Sequence, residues 1–390
     1  MKWEKVAIKD ICTGIYDGPH ATPPLSDTGA IFLGISNFNN GRLDFSDIRY
    51  ISEDDLPKWT KRVIPQKNDI VFSYEATLNL YAIIPEGFRG CLGRRMALLR
   101  VDETKADYKF LYYYFYSDAW RATVNENIVL GATVDRIPLT KFPDFPVELP
   151  PLETQHRIAD ILSAYDDLIE NNQKQIKLLE EAAQRLYKEW FVDLRFPGHE
   201  NMEIVDGVPE GWKKERLVDI AEIQYGYAFD GTLFNADKNG TPIIRIRNIP
   251  QAETMDYTTE HVSENYLVQN GEIIVGMDGE FHINAWAGNT AYLVQRVCCI
   301  RPKNTEIKGW LLQAIYEPIK FFERTVVGAT VAHLGKKHLD SIYLLTSPEE
   351  FYEPFKTFFD KRLLLMNQNR KLREARDRLL PKLMSGEVEV

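Results

Sequence analysis

Two stretches of the chain place apolar residues alternately three and four positions apart, one stretch following Pro151 and the other following Pro348. Side chains with that spacing share one face of a helix, so the pattern predicts long amphipathic helices over residues 152–190 and 349–386. Each helix would contain about 38 residues and be on the order of 55 Å long. A solitary helix of that length needs a cover for its apolar stripe, so we expect the two helices to cover each other.

The two helices align without a gap, and this alignment matches Glu153 with Glu350 and Asn172 with Asn369. The apolar positions follow a heptad pattern in the same phase, which is typical of a coiled coil. The predicted coiled-coil and partner-facing residues are Ile158, Ile161, Leu162, Leu168, Ile169, Asn172, Ile176, Leu179, Phe355, Phe358, Leu365, Asn369, Leu372 and Leu379.

Asn172 and Asn369 lie near the midpoints of the predicted helices. In an antiparallel pair a pseudo-twofold axis crosses the helices there, so we expect the two residues to approach each other. A buried polar residue at one position fixes register, because its hydrogen bonds are lost if the helices slip. The amides should then reach each other, Gln175 or one bridging water. The alternative is that both side chains point to solvent.

The segments before the helices also repeat. Trp3 begins "WEKVAIKDI" and Trp212 begins "WKKERLVDI", while Gly29 begins "GAIFLGISNF" and Gly240 begins "GTPIIRIRNI". Each copy continues with a polar turn before an apolar strand, a helix candidate and the tetrapeptide GATV. Several weak matches in the same order indicate a duplicated chain.

This organisation predicts an α/β (α+β) fold with pseudo-twofold symmetry, in which two globular domains are joined by two long antiparallel helices that form a coiled coil. The predicted boundaries are 1–150 for the first domain, 151–192 for the first helix, 193–346 for the second domain and 347–390 for the second helix. Pro381 should kink or end the second helix.

Composition narrows the function only slightly. The net charge of −10 argues mildly against nucleic acid as a partner, although a local positive groove is compatible with it. We expect no membrane span and no signal peptide. The four cysteines form no CxxC pair, which is typical of a reducing cytoplasm. The scattered histidines predict no metal site.

Catalytic motifs are not found in the sequence. Neither Pro-Pro pair is preceded by the Asn or Asp that a DNA amino-methyltransferase loop would need. Gly335-Lys336 lacks the glycine spacing and the hydroxyl of a nucleotide-binding loop. Asp144 and Glu148 are followed by Pro150 where a nuclease would place lysine. We therefore predict no catalytic residue, no bound cofactor and no metal.

The quoted repeats, with "YDGPHATPP" at 16–24, "PLETQHRIADILSAYDDLIENNQKQIKLLEE" at 151–181, "WFVDLRFPG" and "VPEGW", resemble the specificity subunits of type I restriction–modification systems. The resemblance covers essentially the whole chain. It implies two target recognition domains, each of which reads one part of a split, asymmetric target in double-stranded DNA. It also implies that the long helices act as a ruler and as the docking site for methyltransferase subunits.

The resemblance further implies a cytoplasmic protein without catalytic activity of its own. DNA methylation and cleavage would belong to methyltransferase and restriction subunits, which would bind S-adenosylmethionine, ATP and Mg. The residue patterns leave two alternatives open, an enzyme with a cryptic site and a scaffold whose domains bind protein rather than DNA.

Candidate DNA contacts are polar residues on turns beside predicted strands, because donors and acceptors distinguish bases in the major groove. The candidates are Tyr16, Asp17, His20, Thr22, Ser36, Asn37, Tyr74, Arg94, Arg95, Tyr225, Tyr227, Arg245, Arg247, Asn248 and Asp278. Asn37 and Asn248 could instead cap the turn after a strand. Arg245 and Arg247 would share one strand face, toward DNA or toward solvent. The aromatic run "YYYFY" at 112–116 should pack in a core.

Overall fold

The computed structural model describes residues 3–129, 134–325 and 332–390. The chain forms two compact units. The first unit comprises Met1–Asp167 and Arg373–Val390, and the second comprises Leu168–Leu372. Each unit therefore contains one segment of each long helix. The fold-class prediction is confirmed, whereas the predicted domain boundaries stay a prediction.

The first unit is built around a four-stranded antiparallel sheet, whose central strands are apolar on both faces. In spatial order its strands are Cys12–Asp17, Met96–Val101, Ile70–Ser73 and Tyr81–Ile83. A three-stranded sheet contains Arg49–Ile51, Ala30–Leu33 and Gly90–Leu92, the last two in parallel. Two-stranded pairs join Glu4–Ala7 to Pro146–Leu149 and Phe38–Asn39 to Arg42–Leu43.

Two short helices, Tyr108–Tyr114 and Asp118–Asn127, cover one face of the four-stranded sheet. Each begins at a residue whose side chain accepts a backbone N–H of the first turn, Asp107 for the first helix and Ser117 for the second. The aromatic run at 112–116 lies in the core with these helices, as predicted. A further one-turn helix spans Leu56–Trp59.

The second unit repeats this plan. Its four-stranded antiparallel sheet has the order Ala221–Tyr225, Val297–Pro302, Ile273–Gly276 and Ile283–Ala285. A five-stranded sheet contains Phe234–Asn235, Tyr257–Thr258, Thr241–Ile244, Ala291–Leu293 and Leu267–Val268. Lys213–Arg216 pairs with Tyr343–Thr346, and Ile204–Val205 pairs with Val208–Pro209. The helices of this unit are Leu217–Ile220, Lys308–Ala314, Tyr316–Thr325 and Lys336–Asp340.

The first long helix spans Leu152–Tyr187 and ends in a π-turn at Lys188–Val192. The second spans Glu353–Met384 and follows a 3-10 turn at Glu349–Phe351, so the chain becomes helical at the predicted residue 349 but α-helical only from residue 353. Pro354 explains the difference. Proline lacks an N–H and fits in the first turn of a helix, whereas a start at 349 would place it in the interior.

Pro381 neither ends nor shortens the second helix. The helix continues to Met384, and the N–H of Ser385 donates to the Pro381 carbonyl at 3.0 Å. Leu383 and Met384 are buried in the first unit's core. Because their burial stabilises the last turn, it offsets the hydrogen bond that the proline cannot make.

Within each unit the two long helices run antiparallel. In the first unit Asp166 pairs with Arg376, and in the second unit Glu180 accepts from Nε of Arg362 at 2.7 Å. Asn172 and Asn369, also in the second unit, are joined by a hydrogen bond of 2.9 Å between their buried side chains. The prediction that these amides meet is confirmed, and the alternative that they point to solvent was wrong.

The predicted coiled-coil residues differ in burial. Those that are buried are Ile158, Leu162, Ile169, Asn172, Phe355, Leu365 and Asn369. Those that are half-buried are Ile161, Ile176, Leu179, Phe358, Leu372 and Leu379. Leu168 is 46% exposed, so its placement in the seam was wrong. The adjacent Ile169 occupies the interior instead, because neighbouring residues point about 100° apart on a helix.

The GATV tetrapeptides, on which part of the repeat argument rests, lie outside the described residues except for Val134.

Candidate nucleic-acid interface

A short main-chain ladder in the first unit brings together segments that are distant in sequence. The N–H of Tyr74 donates to the Arg95 carbonyl at 3.1 Å, and the N–H of Ile137 donates to the Tyr74 carbonyl at 2.8 Å. Glu75, the next residue, forms an antiparallel bridge with Arg136. We call Glu75, Arg95 and Arg136 the Glu75 cluster.

The side chains of this cluster are open to solvent. Oε1 of Glu75 lies 3.4 Å from Nε of Arg95, and both side chains are about one-third exposed. Arg136 is exposed. The backbone therefore brings one carboxylate and two arginines to the same solvent-exposed place.

A second ion pair lies close to the Glu75 cluster. Asp17 accepts a hydrogen bond from Nη1 of Arg62, and Nε2 of His20 lies 3.0 Å from its other oxygen. Burial raises the pKa of Tyr74, and the nearby charges of Asp17 and Glu75 raise it further. The N–H of Gly18, the residue after Asp17, donates to the carbonyl of Met96, the residue after Arg95, so the backbone also holds the two ion pairs near each other.

The second unit contains the same ladder. The N–H of Met277 donates to the Arg296 carbonyl at 2.8 Å, and the N–H of Leu334 donates to the Met277 carbonyl at 2.7 Å. Asp278 forms an antiparallel bridge with His333. Asp278, Arg296 and His333, here called the Asp278 cluster, therefore occupy the same positions as the Glu75 cluster.

The Asp278 cluster is also solvent-exposed and carries a similar charge pattern. Nη1 of Arg296 lies 3.3 Å from Oδ2 of Asp278, and Nδ1 of His333 lies 2.5 Å from Oδ1. The carboxylate and one arginine are common to both units. Histidine replaces arginine at the third position.

Gly18 in the first unit and Gly226 in the second unit occupy equivalent positions. The N–H of Gly18 donates to Met96, and that of Gly226 donates to Val297, at 2.7 and 3.0 Å. A Cβ atom at either glycine would lie 2.2 Å from a carbonyl oxygen, so only glycine fits. The residues before them, Asp17 and Tyr225, therefore occupy equivalent positions.

Several candidates of the first unit do not belong to the Glu75 cluster. His20, Thr22, Ser36 and Arg94 are exposed, and their role as DNA contacts stays a prediction. Tyr16 is half-buried and packs against a core cluster.

The predictions that Tyr74 and Asn37 contact DNA were wrong. The Tyr74 side chain is buried, and its hydroxyl donates to the Arg94 carbonyl at 3.1 Å. Asn37 is 2% exposed, and its Oδ1 accepts from the N–H of Gly34 at 2.9 Å. Its Nδ2 donates to the carbonyls of Asp44 and Asp47. The cap alternative thus describes Asn37, whose amide has no atom left for a base.

Asn248 makes the equivalent cap in the second unit. Its Oδ1 accepts from the N–H of Arg245 at 2.8 Å. Residues Ile246–Asn248 form a 3-10 turn rather than a strand, so Arg245 and Arg247 do not share a strand face. Arg247 pairs with Asp256 instead, whereas the Arg245 guanidinium lies 5.6 Å from the centroid of the Phe234 ring.

The two predicted tyrosines of the second unit are half-buried. The hydroxyl of Tyr225 is shielded from solvent and has no hydrogen-bond partner among the described residues. The Tyr227 ring contacts the rings of Phe229 and Tyr266 at centroid distances of 5.0 and 5.2 Å.

Sequence reasoning missed Arg62, Glu75, Arg136, Arg296 and His333. For three of them, Glu75, Arg136 and His333, a signal existed. In the two copies, Glu75 and Asp278 end matching apolar strands, and Arg136 and His333 stand at the same distance after GATV. A search for charged residues at aligned positions would have identified both pairs.

Other kinds of site receive no support from the described residues. Across residues 3–129, 134–325 and 332–390, no three histidine, cysteine or acidic side chains are grouped to hold a metal ion. None of the helices in that part of the chain is long and apolar enough to cross a membrane. The four cysteines are free thiols.

The chain is similar to specificity subunits of restriction enzymes. It is 25% identical over 366 residues to the type I restriction enzyme MjaIX specificity subunit of Methanocaldococcus jannaschii. The aligned residues cover 88% of this chain and 82% of that protein. It is 30% identical over 150 residues to the type I restriction enzyme EcoBI specificity subunit of Escherichia coli. The aligned residues cover 38% of this chain and 32% of that protein.

A solved structure shares the fold. The crystal structure of the type I restriction-modification system S subunit from M. genitalium superposes with a TM-score of 0.59 at 17% identity, over 98% of this chain and 96% of that one. The family described as type I restriction modification DNA specificity domain matches residues 1–181 and 209–350. The residues matched by this family span most of the chain, which therefore belongs to the family of type I restriction–modification specificity subunits.

Proposed function

We propose that this chain binds double-stranded DNA and reads a bipartite, asymmetric target, one half with each unit. The observation that carries the proposal is the recurrence of one solvent-exposed arrangement, the Glu75 cluster and the Asp278 cluster, in both units of a DNA specificity protein. The two arrangements share a frame and differ in side chains. A duplicated frame with different side chains suits two readers of different sequences.

Local charge supports a DNA-binding role despite the net charge of −10. In the first unit three arginines, Arg62, Arg95 and Arg136, are concentrated beside the carboxylates of Asp17, Glu75 and Asp135. Arginines gathered at one place can contact DNA, and the net charge of the chain does not report such a local concentration.

We further propose that the long helices dock methyltransferase subunits and that restriction subunits join the same complex. Leu168, Leu178 and Leu364 are each about half exposed or more on these helices, and exposed leucines are suited to burial against a partner. On this proposal the catalytic groups, S-adenosylmethionine, ATP and Mg belong to the partner subunits. The chain would act in the cytoplasm, where its free thiols stay reduced.

The proposal is tested by selecting duplexes from a random library with the full chain in complex with methyltransferase subunits. The selected duplexes should contain two segments of fixed sequence separated by a segment of any sequence. A plot of the logarithm of the binding constant against the logarithm of the salt concentration should fall with a slope of about −0.9 for each phosphate that the protein neutralises. Equal binding of selected and scrambled duplexes would contradict the proposal. That result would favour the alternative in which the two units form a protein-binding scaffold.

A further inference from the structure

One pair of side chains is common to the two clusters, a carboxylate next to an arginine. Nε of Arg95 lies 3.4 Å from Glu75, and Nη1 of Arg296 lies 3.3 Å from Asp278. All four side chains are between 28% and 50% exposed. The backbone ladder holds each pair at the same point of its unit. The side chains differ in detail, because Asp278 also contacts Nδ1 of His333 at 2.5 Å.

The carboxylate decides which part of DNA the pair suits. A phosphate next to Arg95 or Arg296 would also face the negative charge of Glu75 or Asp278, and like charges at that separation repel. Base edges carry no net charge and present both donors and acceptors. The pair therefore fits base edges better than it fits the backbone.

Hydrogen-bonding chemistry then distinguishes the base pairs. In the major groove guanine offers two acceptors, O6 and N7, which match the guanidinium fork, and cytosine offers its N4 amino donor, which matches a carboxylate. Adenine places an amino donor where guanine has O6, so an arginine there would meet a donor. One carboxylate–arginine pair thus complements one G·C base pair.

We propose that Glu75 with Arg95, and Asp278 with Arg296, each read one G·C base pair, one in each half of the target. The inference rests on the proposed DNA-binding function and names the base pair that this site reads. It concerns only the side chains that the two units share.

The experiment uses the selected duplexes and the full complex. Each specified segment should contain a G·C pair whose replacement by A·T lowers wild-type affinity about 5- to 150-fold, the discrimination of one bidentate contact. Arg95→Ala should abolish that discrimination in the segment read by the first unit only. Arg296→Ala should abolish it in the other segment only.

The carboxylate variants separate base contact from phosphate contact. If the pair reads bases, Glu75→Ala and Asp278→Ala lower discrimination at the same G·C pair. If the arginines bind phosphate, removing the carboxylate tightens binding to every duplex equally. That second result overturns the inference.

Matched controls come from arginine–carboxylate pairs outside the clusters. Arg89, paired with Glu53, and Arg216, paired with Asp219, are exposed, and their alanine variants should leave discrimination unchanged. Where Arg95→Ala lowers thermal stability, Arg95→Lys replaces it, because lysine keeps the charge and lacks the bidentate fork.

The failure of this inference differs from failure of the proposed function. A wild-type complex without sequence preference contradicts the proposed function. A selective wild-type complex whose target segments lack a G·C pair, or whose Arg95→Ala variant weakens all duplexes equally, overturns only the inference.

Discussion

Nδ2 of Asn172 donates a hydrogen bond of 2.9 Å to Oδ1 of Asn369, and the two side chains are 2% and 3% exposed. Nδ2 of Asn369 in turn donates to the Ile169 carbonyl at 3.3 Å. Sliding one helix against the other by a turn would bury both amides without partners. This pair therefore specifies the helix register within the second unit.

Asn172→Leu should destabilise the second unit by about 1–3 kcal/mol, because it leaves a buried oxygen of Asn369 without a donor. The double variant Asn172→Leu/Asn369→Leu should recover most of that loss. A double-mutant cycle measured by urea unfolding checks the coupling. Additive effects of the two substitutions, within about 0.5 kcal/mol, would show that the hydrogen bond does not couple the helices.

Asp166 joins three elements of the first unit. It accepts from the Tyr113 hydroxyl at 2.6 Å and from the Arg376 guanidinium, and its side chain is 13% exposed. Asp166→Ala should lower stability by about 3 kcal/mol, near the lower end for a buried pair that loses one partner, because the pair that Arg376 then keeps is with the 64% exposed Asp377.

The control for that prediction is Asp144→Ala, which removes an exposed ion pair with Lys9. It should cost much less stability than Asp166→Ala, because an exposed ion pair is screened by water and contributes little. Denaturant unfolding of the three proteins gives both values. Equal losses in the two variants would contradict the central role of Asp166.

Exchange of the first domain tests modular reading. Replacing residues 1–140 with the matching segment of a relative should change one half of the recognised target and leave the other half intact, because each unit has its own core. Sequencing of methylated bases in cells that carry the complete complex reads both halves. A simultaneous change in both halves would refute one reader per unit.

Docking of methyltransferase subunits on the long helices should be tested at exposed residues. Ile169 is unsuitable, because its side chain is buried and a glutamate at that position would destabilise the fold. Leu178 and Leu364 are 64% and 57% exposed. Leu178→Glu and Leu364→Glu should weaken methyltransferase assembly about tenfold or more, since a buried leucine contributes about 1.5–3 kcal/mol.

Ile64→Glu is the matched control, because Ile64 is 65% exposed and belongs to the loop between Leu56–Trp59 and Ile70–Ser73, not to a long helix. All three variants should keep wild-type stability to within about 0.5 kcal/mol. Co-purification with methyltransferase subunits measures assembly. Normal assembly of the folded Leu178→Glu/Leu364→Glu protein would refute docking at these leucines.

The thiols should be unreactive in the native protein. Burial raises the pKa of Cys12, Cys91 and Cys298 to about 12. At pH 8 only roughly one thiol in ten thousand would then be ionised, and the thiolate is the reactive form. Iodoacetamide should label the native chain very slowly and the urea-unfolded chain at all four cysteines.

The same pKa shifts have a consequence for stability. A thiol pKa that is higher in the folded state than in the unfolded state stabilises the fold below the unfolded value, and the contribution is lost as pH rises toward about 12. Stability should therefore fall as pH rises above about 9. Rapid labelling of the native chain at pH 8 would show that these thiols are accessible.

The order of residues along the chain was enough to determine the duplication, the two long helices and the meeting of Asn172 with Asn369. These features are periodic or local, because a helix brings residues three and four apart onto one face whatever surrounds it. The start of the second helix was also encoded, in Pro354, although the position of Pro348 suggested an earlier residue.

Only the tertiary structure determined which polar residues lie close together at the candidate interface. Glu75, Arg95 and Arg136 come from three separated segments and meet only because backbone hydrogen bonds between those segments place them together. Conversely, the sequence predicted Asn37 as a base contact, but both ends of its side-chain amide form hydrogen bonds with the backbone of the loop that it caps. Side-chain type states what a residue can bind, whereas long-range pairing and burial determine which of its atoms remain free to bind.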